Sequence, residues 1–249
     1  MLTNRITLSL AALLLTTYIG AQVGIQAGQH AFVLNTMNLE PYQVDIIDGI
    51  ATMRYSNAAA SILGSPYLTN EFEEGTMTTL DGTVIPGLMY RYDIYGDRMQ
   101  FIINGDTAII NKPLALRSLE LGNRKFVYEV FLVDEGKVAT GYFEVIEENE
   151  YMTVLFRRAI ELEQDIYVSN YGGGGGTKEF KMKNVNSYFV KPIDSAALRV
   201  RNKKDFLNTL SDHQDHVKQY MKDHKISVKK EKDLMEVAKY YNSLHTTGS

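Results

Sequence analysis

A series of tight turns between residues 75 and 157 constrains this fold more than any other feature. Asp81-Gly82 separates segments 76–80 and 83–95, Asn104-Gly105 separates 98–103 and 106–110, and Gly122-Asn123 separates 117–121 and 124–133. Two longer polar turns follow, Asp134-Glu135-Gly136-Lys137 before 138–146 and Glu147-Glu148-Asn149-Glu150 before 151–157. Asp-Gly and Asn-Gly suit hairpin turns whose two central residues both need positive φ. The intervening segments are short, apolar or alternating, which is the period of a strand. Roughly eight strands in sequence order, each joined to the next by a short turn, predict antiparallel neighbours and hence a meander.

The alternation also assigns faces. In 125–133 one face carries Phe126, Tyr128, Val130 and Leu132, and the other Lys125, Val127, Glu129, Phe131 and Val133. In 141–146, Tyr142, Glu144 and Ile146 oppose Gly141, Phe143 and Val145. Both faces are partly apolar, so the sheet is expected to be covered on each side or curled toward a barrel. One more strand is expected within 184–190. From Lys203 the period changes to that of a helix. Phe206, Leu207, Leu210, Val217, Tyr220 and Met221 fit a helix broken near Ser211-Asp212, and Leu234, Val237, Ala238 and Tyr241 mark another. The fold class is therefore α+β: an antiparallel β-meander, curled or barrel-like, with a C-terminal helical region.

The first 21 residues read as a secretory signal peptide. Arg5 supplies the positive end, 6–19 the apolar run, and Gly20-Ala21 the small residues before a cut between Ala21 and Gln22. A membrane span needs about 20 apolar residues, so a retained signal anchor is the weaker alternative. Export to the periplasm, the outer membrane surface or the medium is expected, with no stable transmembrane insertion after signal removal. The expected organisation is 1–21 signal, 22–64 an N-terminal extension that is poorly ordered or a docked arm, 65–198 the antiparallel β domain, and 199–249 a helical region packed on it. Within the extension, 44–47 and 50–55 look like short strands.

The chain has no cysteine. That excludes a disulfide framework, a thiolate metal site, a cysteine nucleophile and a lipoprotein anchor. The net charge of -4 is uneven: from residue 199 onward there are 11 Lys+Arg against 7 Asp+Glu, whereas 22–198 carries -9. The basic residues are interleaved with acidic ones, as on solvated helices, so a nucleic-acid partner is not expected.

Candidate chemistry is sparse. Five glycines, 172–176, end in Thr177-Lys178, the reverse of the Gly-Lys-Ser/Thr order of a phosphate loop, and read as a surface tether. His213 and His216 stand three apart on a helix, with Asp212 or His224 as further ligands, but nothing else in the sequence completes a tetrahedral set. A structural histidine is the expected outcome, with no metal and no cofactor. His30 and His245 lie near the termini, poor places for a preorganised base. Ser61, Ser65 and Ser118 lack the Gly-x-Ser-x-Gly frame. Asp93, Glu129 and Glu144 lie in strands and would serve a two-carboxylate hydrolase if they faced one cleft. Tyr90, Tyr92 and Tyr95, with Arg91 and Asp93 between them, are candidates for a binding face; the competing reading makes Tyr90 and Tyr92 packing residues.

Several composite patterns carry a resemblance. Residues 64–72 (Gly-Ser-Pro-Tyr-Leu-Thr-Asn-Glu-Phe) with Gly75, residues 91–101 (Arg-Tyr-Asp-Ile-Tyr-Gly-Asp-Arg-Met-Gln-Phe), 126–128, 141–145 and 233–242 together resemble exported, Bacteroidota-type proteins of unknown function. The resemblance covers about residues 64–244. It implies a signal peptide, a β-rich body and a C-terminal helical segment, and it brings no catalytic residues. The expected role is a non-enzymatic envelope module that binds a protein or glycan. A polymer hydrolase built on strand carboxylates, or a small-molecule carrier if the meander closes around an apolar cavity, are the alternatives.

Overall fold

The computed structural model describes residues 60–133, 136–164 and 178–246, together with short strands at 34–36, 42–47 and 50–55. The signal segment with Ala21 and Gln22, His30 and the glycine run 172–176 lie outside the described residues. The N-terminal strands are β1 (Leu34–Thr36), β2 (Tyr42–Ile47), β3 (Ile50–Tyr55) and β4 (Ala60–Leu63). The body follows as β5 (Glu73–Thr79), β6 (Val84–Asp93), β7 (Arg98–Ile103), β8 (Asp106–Ile110), β9 (Leu116–Leu121), β10 (Arg124–Leu132), β11 (Val138–Glu148) and β12 (Met152–Arg157). Then come β13 (Ile160–Gln164), β14 (Lys178–Asn184), β15 (Ser187–Pro192) and β16 (Ala197–Arg199). Three helices finish the chain: α1 (Lys203–Asn208), α2 (Gln214–Asp223) and α3 (Glu231–Thr246).

The turn chemistry produces its hairpins. Asn104 and Gly105 have φ of 54° and 87°, both left-handed, and β7 pairs antiparallel with β8 across them. The eight strands expected between residues 75 and 157 are β5 to β12. One connection departs from a simple meander. β9 does not lie beside β8; it pairs with β5, giving the order β8-β7-β6-β5-β9-β10-β11-β12. The link at 111–115 contains Pro113 at the start of a 3₁₀ turn, Pro113–Ala115. Proline has no N–H to continue a ladder, so the chain leaves β8 and re-enters the sheet on the far edge of β5.

Closure comes from one long strand with two partners along the same edge. Residues 124–126 of β10 pair with β9, whereas Phe131 and Leu132 pair in parallel with Ala197 and Leu198 of β16. β16 also pairs with β15, and β15 with β12. The strands β10-β11-β12-β15-β16 therefore form a closed ring, while β9, β5, β6, β7, β8 and β1 extend in that order as an open sheet from the other half of β10. β2 and β3 make a hairpin, and β4 runs parallel to β14 beside β13.

Both faces of β10 and β11 are buried, against different cores. Phe126, Tyr128 and Tyr142 join Met77, Tyr90, Tyr92, Met99, Phe101 and Leu119 in the core of the open sheet. Val127, Phe131, Phe143 and Val145 point the other way, into the ring, where they meet Leu155 and Phe189. The rings of Phe131, Phe143 and Phe189 meet edge-to-face at centroid distances of 5.0–5.5 Å. Each fully buried aromatic of this kind contributes about 2–3 kcal/mol from area alone. A third core forms where the outer faces of β12 and β15, through Met152, Val154 and Val190, receive Phe206, Val217, Met221, Leu234, Val237 and Tyr241 from the helices. The helical period read from 203 onward is thus a packing stripe. Asn202 caps α1 by accepting from the Asp205 N–H at 3.0 Å, and the break falls between Asn208 and Gln214. No helix among the described residues is long and apolar enough to cross a membrane.

Candidate functional site

The residues 91–101, a run rich in charge and aromatics, are an internal brace. Tyr90 and Tyr92 are 0% and 1% exposed, so they cannot present a binding face; Tyr95 is half-buried. This corrects the expectation for Tyr90 and Tyr92. Their strand has its second face covered by residues 66–72, so charged residues between the tyrosines do not mark a wet side. Leu68 N–H donates to Tyr92 O and Ile94 N–H to Pro66 O, which lays this segment along the end of β6. The Arg91 guanidinium lies 3.8 Å from the Tyr67 ring centroid and 4.3 Å from that of Phe72. It donates to Gln100 Oε1 at 2.8 and 3.0 Å and to Asn70 O at 3.0 Å. Burial lowers the Arg91 pKa and raises that of Tyr67.

Asp93 and Asp97 anchor the turn between β6 and β7. Asp93, fully buried, accepts from Arg98 at 2.8 Å and from the Gly96 N–H at 2.9 Å. Asp97 accepts from the Tyr92 hydroxyl at 2.7 Å and from Arg157 of β12 at 3.0 Å. Arg157 lies over Phe131, 4.8 Å away, at the end of the ring. Gly141 makes room for this pair: a Cβ there would collide with Arg157 Nη1 and sit 2.6 Å from Asp97 Oδ2. Burial drives the Tyr90, Tyr92 and Tyr142 phenols well above the ordinary tyrosine range, so they stay protonated well past pH 10.

The three strand carboxylates do not share a cleft. Glu144 is opposite Phe126 in the β10–β11 register and lies on that face; Glu129 belongs to the alternate face with Val127 and Phe131. Each has its own cation. Glu129 takes Lys191 at 2.6 Å, Glu144 takes Arg158 at 2.5 Å, and Asp93 takes Arg98. The ring interior is filled by its phenylalanines. A cavity of about 230 Å³ lies at its mouth, between the β11–β12 turn and residues 191–194, lined by Glu129, Glu148, Glu150 and Lys191 together with Val127, Val145 and Leu155. That is below the usual 300–1,000 Å³ of a small-molecule pocket.

Two features of the helical region stand out. The first is a groove of about 700 Å³ between α1 and α2. Lys203, Lys218, Lys222 and Lys225 rim it, with Asp215 and Gln219, while Leu207 and Met221 form its floor. All four lysines are exposed, and none is within ion-pair distance of a carboxylate among the described residues. Val217 and Met221 anchor the opposite face of α2 in the core, which fixes Lys218 and Lys222 outward at the i, i+4 spacing.

The second is a histidine cluster that the fold assembles from distant segments. Asp212 and His213 precede α2, and His245 lies in the last turn of α3; their ligating atoms all stand within 4.8 Å of one another. His216, the expected partner of His213, is exposed, with its ring 6.0 Å from that of His213. The partner that sequence spacing missed is His245. Its signal was present: it stands four residues beyond Tyr241 and eight beyond Val237, on the buried stripe of α3. Comparison with family models, with curated proteins and with solved structures finds no match.

Proposed function

We propose that this chain is an exported binding module that holds a polyanionic envelope glycan in the lysine-lined groove between α1 and α2. The groove carries the reading. Four lysines with no carboxylate partner among the described residues attract an acidic polymer, and the half-buried Leu207 is left to meet its sugar carbons. The acidic balance of the rest of the chain repels such a polymer elsewhere, which confines it to this region. The signal-like first 21 residues support export, and the separation of Asp93, Glu129 and Glu144 favours binding over hydrolysis.

The test is binding of the mature chain to an acidic polysaccharide, such as a polyuronate, against a neutral glucan and single-stranded DNA of equal length. Uronate binding that weakens with salt and falls at least tenfold in Lys218→Glu/Lys222→Glu supports the reading. Equal binding of DNA and polyuronate, or an unaffected double variant, overturns it.

A further inference from the structure

We propose that Asp212, His213 and His245 form a binding site for one divalent transition-metal ion, with Zn²⁺ the best match to the donors. Two imidazoles and a carboxylate, with no thiolate, are a borderline N/O set. Three protein ligands leave a fourth position for water or a partner's donor group. Metal–ligand bonds of about 2.0–2.2 Å place tetrahedral ligand atoms about 3.3–3.6 Å apart. His245 Nε2 is already 3.4 Å from Asp212 Oδ1, and His213 Nε2 is 4.0 Å from Asp212 Oδ2. His213 and Asp212 are 35% and 46% exposed, so a rotation of either closes the remaining gap.

The surroundings hold these groups in place. The Tyr241 hydroxyl donates to Asp212 Oδ1 at 2.9 Å. The Tyr151 ring stacks on His245 at 4.2 Å and 15°, fixing the plane of the imidazole. His245 Nε2 is enclosed, makes no hydrogen bond and stands 3.4 Å from Asp212 Oδ1. Outer groups that orient ligands in this way are the usual companions of a metal site. An ion here ties the last turn of α3 to the loop that starts α2, a link between segments more than thirty residues apart. The remaining histidine of α2's far end, His224, stacks on Tyr220 at 4.0 Å and takes no part.

The experiment uses tag-free, chelator-treated protein titrated with Zn²⁺ by calorimetry, and with Co²⁺ followed by its visible spectrum. One ion per chain, an intense tetrahedral Co²⁺ band, and a rise in Tm of about 5–10 °C at a hundredfold excess over Kd are expected. His245→Ala, His213→Asn and Asp212→Asn each weaken binding at least tenfold, Tyr241→Phe weakens it about tenfold, and His224→Ala leaves it unchanged. Asparagine suits position 213 because its φ is 53°, a left-handed value it tolerates. If His245→Ala does not fold, the two variants at the more exposed positions 212 and 213 decide. Wild-type affinity in both, a weak octahedral Co²⁺ spectrum, or equal loss in His224→Ala overturns the proposal.

Discussion

Removing the Asp97 carboxylate separates two explanations for the run 91–101, a surface epitope or an internal brace. Glycine is the right replacement, because Asp97 has φ of 48° and alanine would add backbone strain of its own. The substitution strips the acceptor from the Tyr92 hydroxyl, whose residue is 1% exposed, and the counter-charge from Arg157, whose side chain is 19% exposed. An orphaned buried hydroxyl costs about 1–3 kcal/mol. The partly screened ion pair adds about 1 kcal/mol. The sum is about 3 kcal/mol, measured by urea unfolding at constant m. Tyr92→Phe alone removes one donor and leaves the carboxylate bonded to Arg157, for about 1 kcal/mol. In the double variant no hydroxyl is orphaned, so the two losses fall short of additivity by about 1–2 kcal/mol. Additivity within about 0.5 kcal/mol would refute the brace, since independent sites behave that way. So would a single-variant loss below about 1 kcal/mol.

Other expectations follow from the same geometry. Gly141→Ala forces a Cβ into the Arg157–Asp97 pair; Arg157 is pinned by Phe131, so the variant loses about 2 kcal/mol in urea unfolding. Gly105→Val has open space around it, and its φ of 87° makes the penalty purely conformational, about 1–2 kcal/mol, visible as a lower Tm. The native pKa values of Tyr90, Tyr92 and Tyr142 are raised, so the native state keeps protons that the unfolded chain loses. Their contribution is complete below about pH 10 and declines above it, by about 4 kcal/mol per pH unit for three groups. Urea midpoints from pH 8 to 11, with tyrosinate absorbance, check this; a flat midpoint refutes it.

What the sequence made legible was local. Both residues of Asn104-Gly105 needed positive φ, and that requirement is complete within two positions. The alternation of Phe126, Val127, Tyr128 and Phe131 named both faces of β10 correctly, since strand geometry alone decides it. The shift of β9 to β5 was not legible, because a five-residue link looks like any hairpin turn until its proline removes a ladder donor. Nor was the ring: β16 reaches β10 through two pairs 66 positions apart in sequence, Phe131–Ala197 and Leu132–Leu198. His245 stayed hidden for the same reason, since its partners come from the loop before a different helix. An aromatic-and-charge alternation reads alike on a wet face and on a covered one. At 90–98 only Tyr67 and Phe72, brought in from another segment, decide which it is.

Four of the five composite patterns that carried the resemblance touch one another. Tyr67 and Phe72 from the first sandwich Arg91 from the second, and Gly141 from the fourth opens space for Asp97 and Arg157. Residues 233–242, the last, place Leu234, Val237 and Tyr241 in the helical core. A set of motifs spent on mutual contact describes how a scaffold is held, and it leaves the ligand to the surfaces those motifs do not reach. In this chain the proposed surfaces are the outward lysines of α2 and the cluster at 212, 213 and 245, which the last motif meets only through Tyr241. Chains sharing the scaffold would then keep Arg91, Asp93, Asp97 and Gly141 while differing at Lys218, Lys222 and His245. Exchanging α1 to α3 between two such chains should move ligand preference with the helices and leave the unfolding midpoint of the β body nearly unchanged. Preference that stays with the β body would instead return the search to the ring mouth around Glu129 and Lys191.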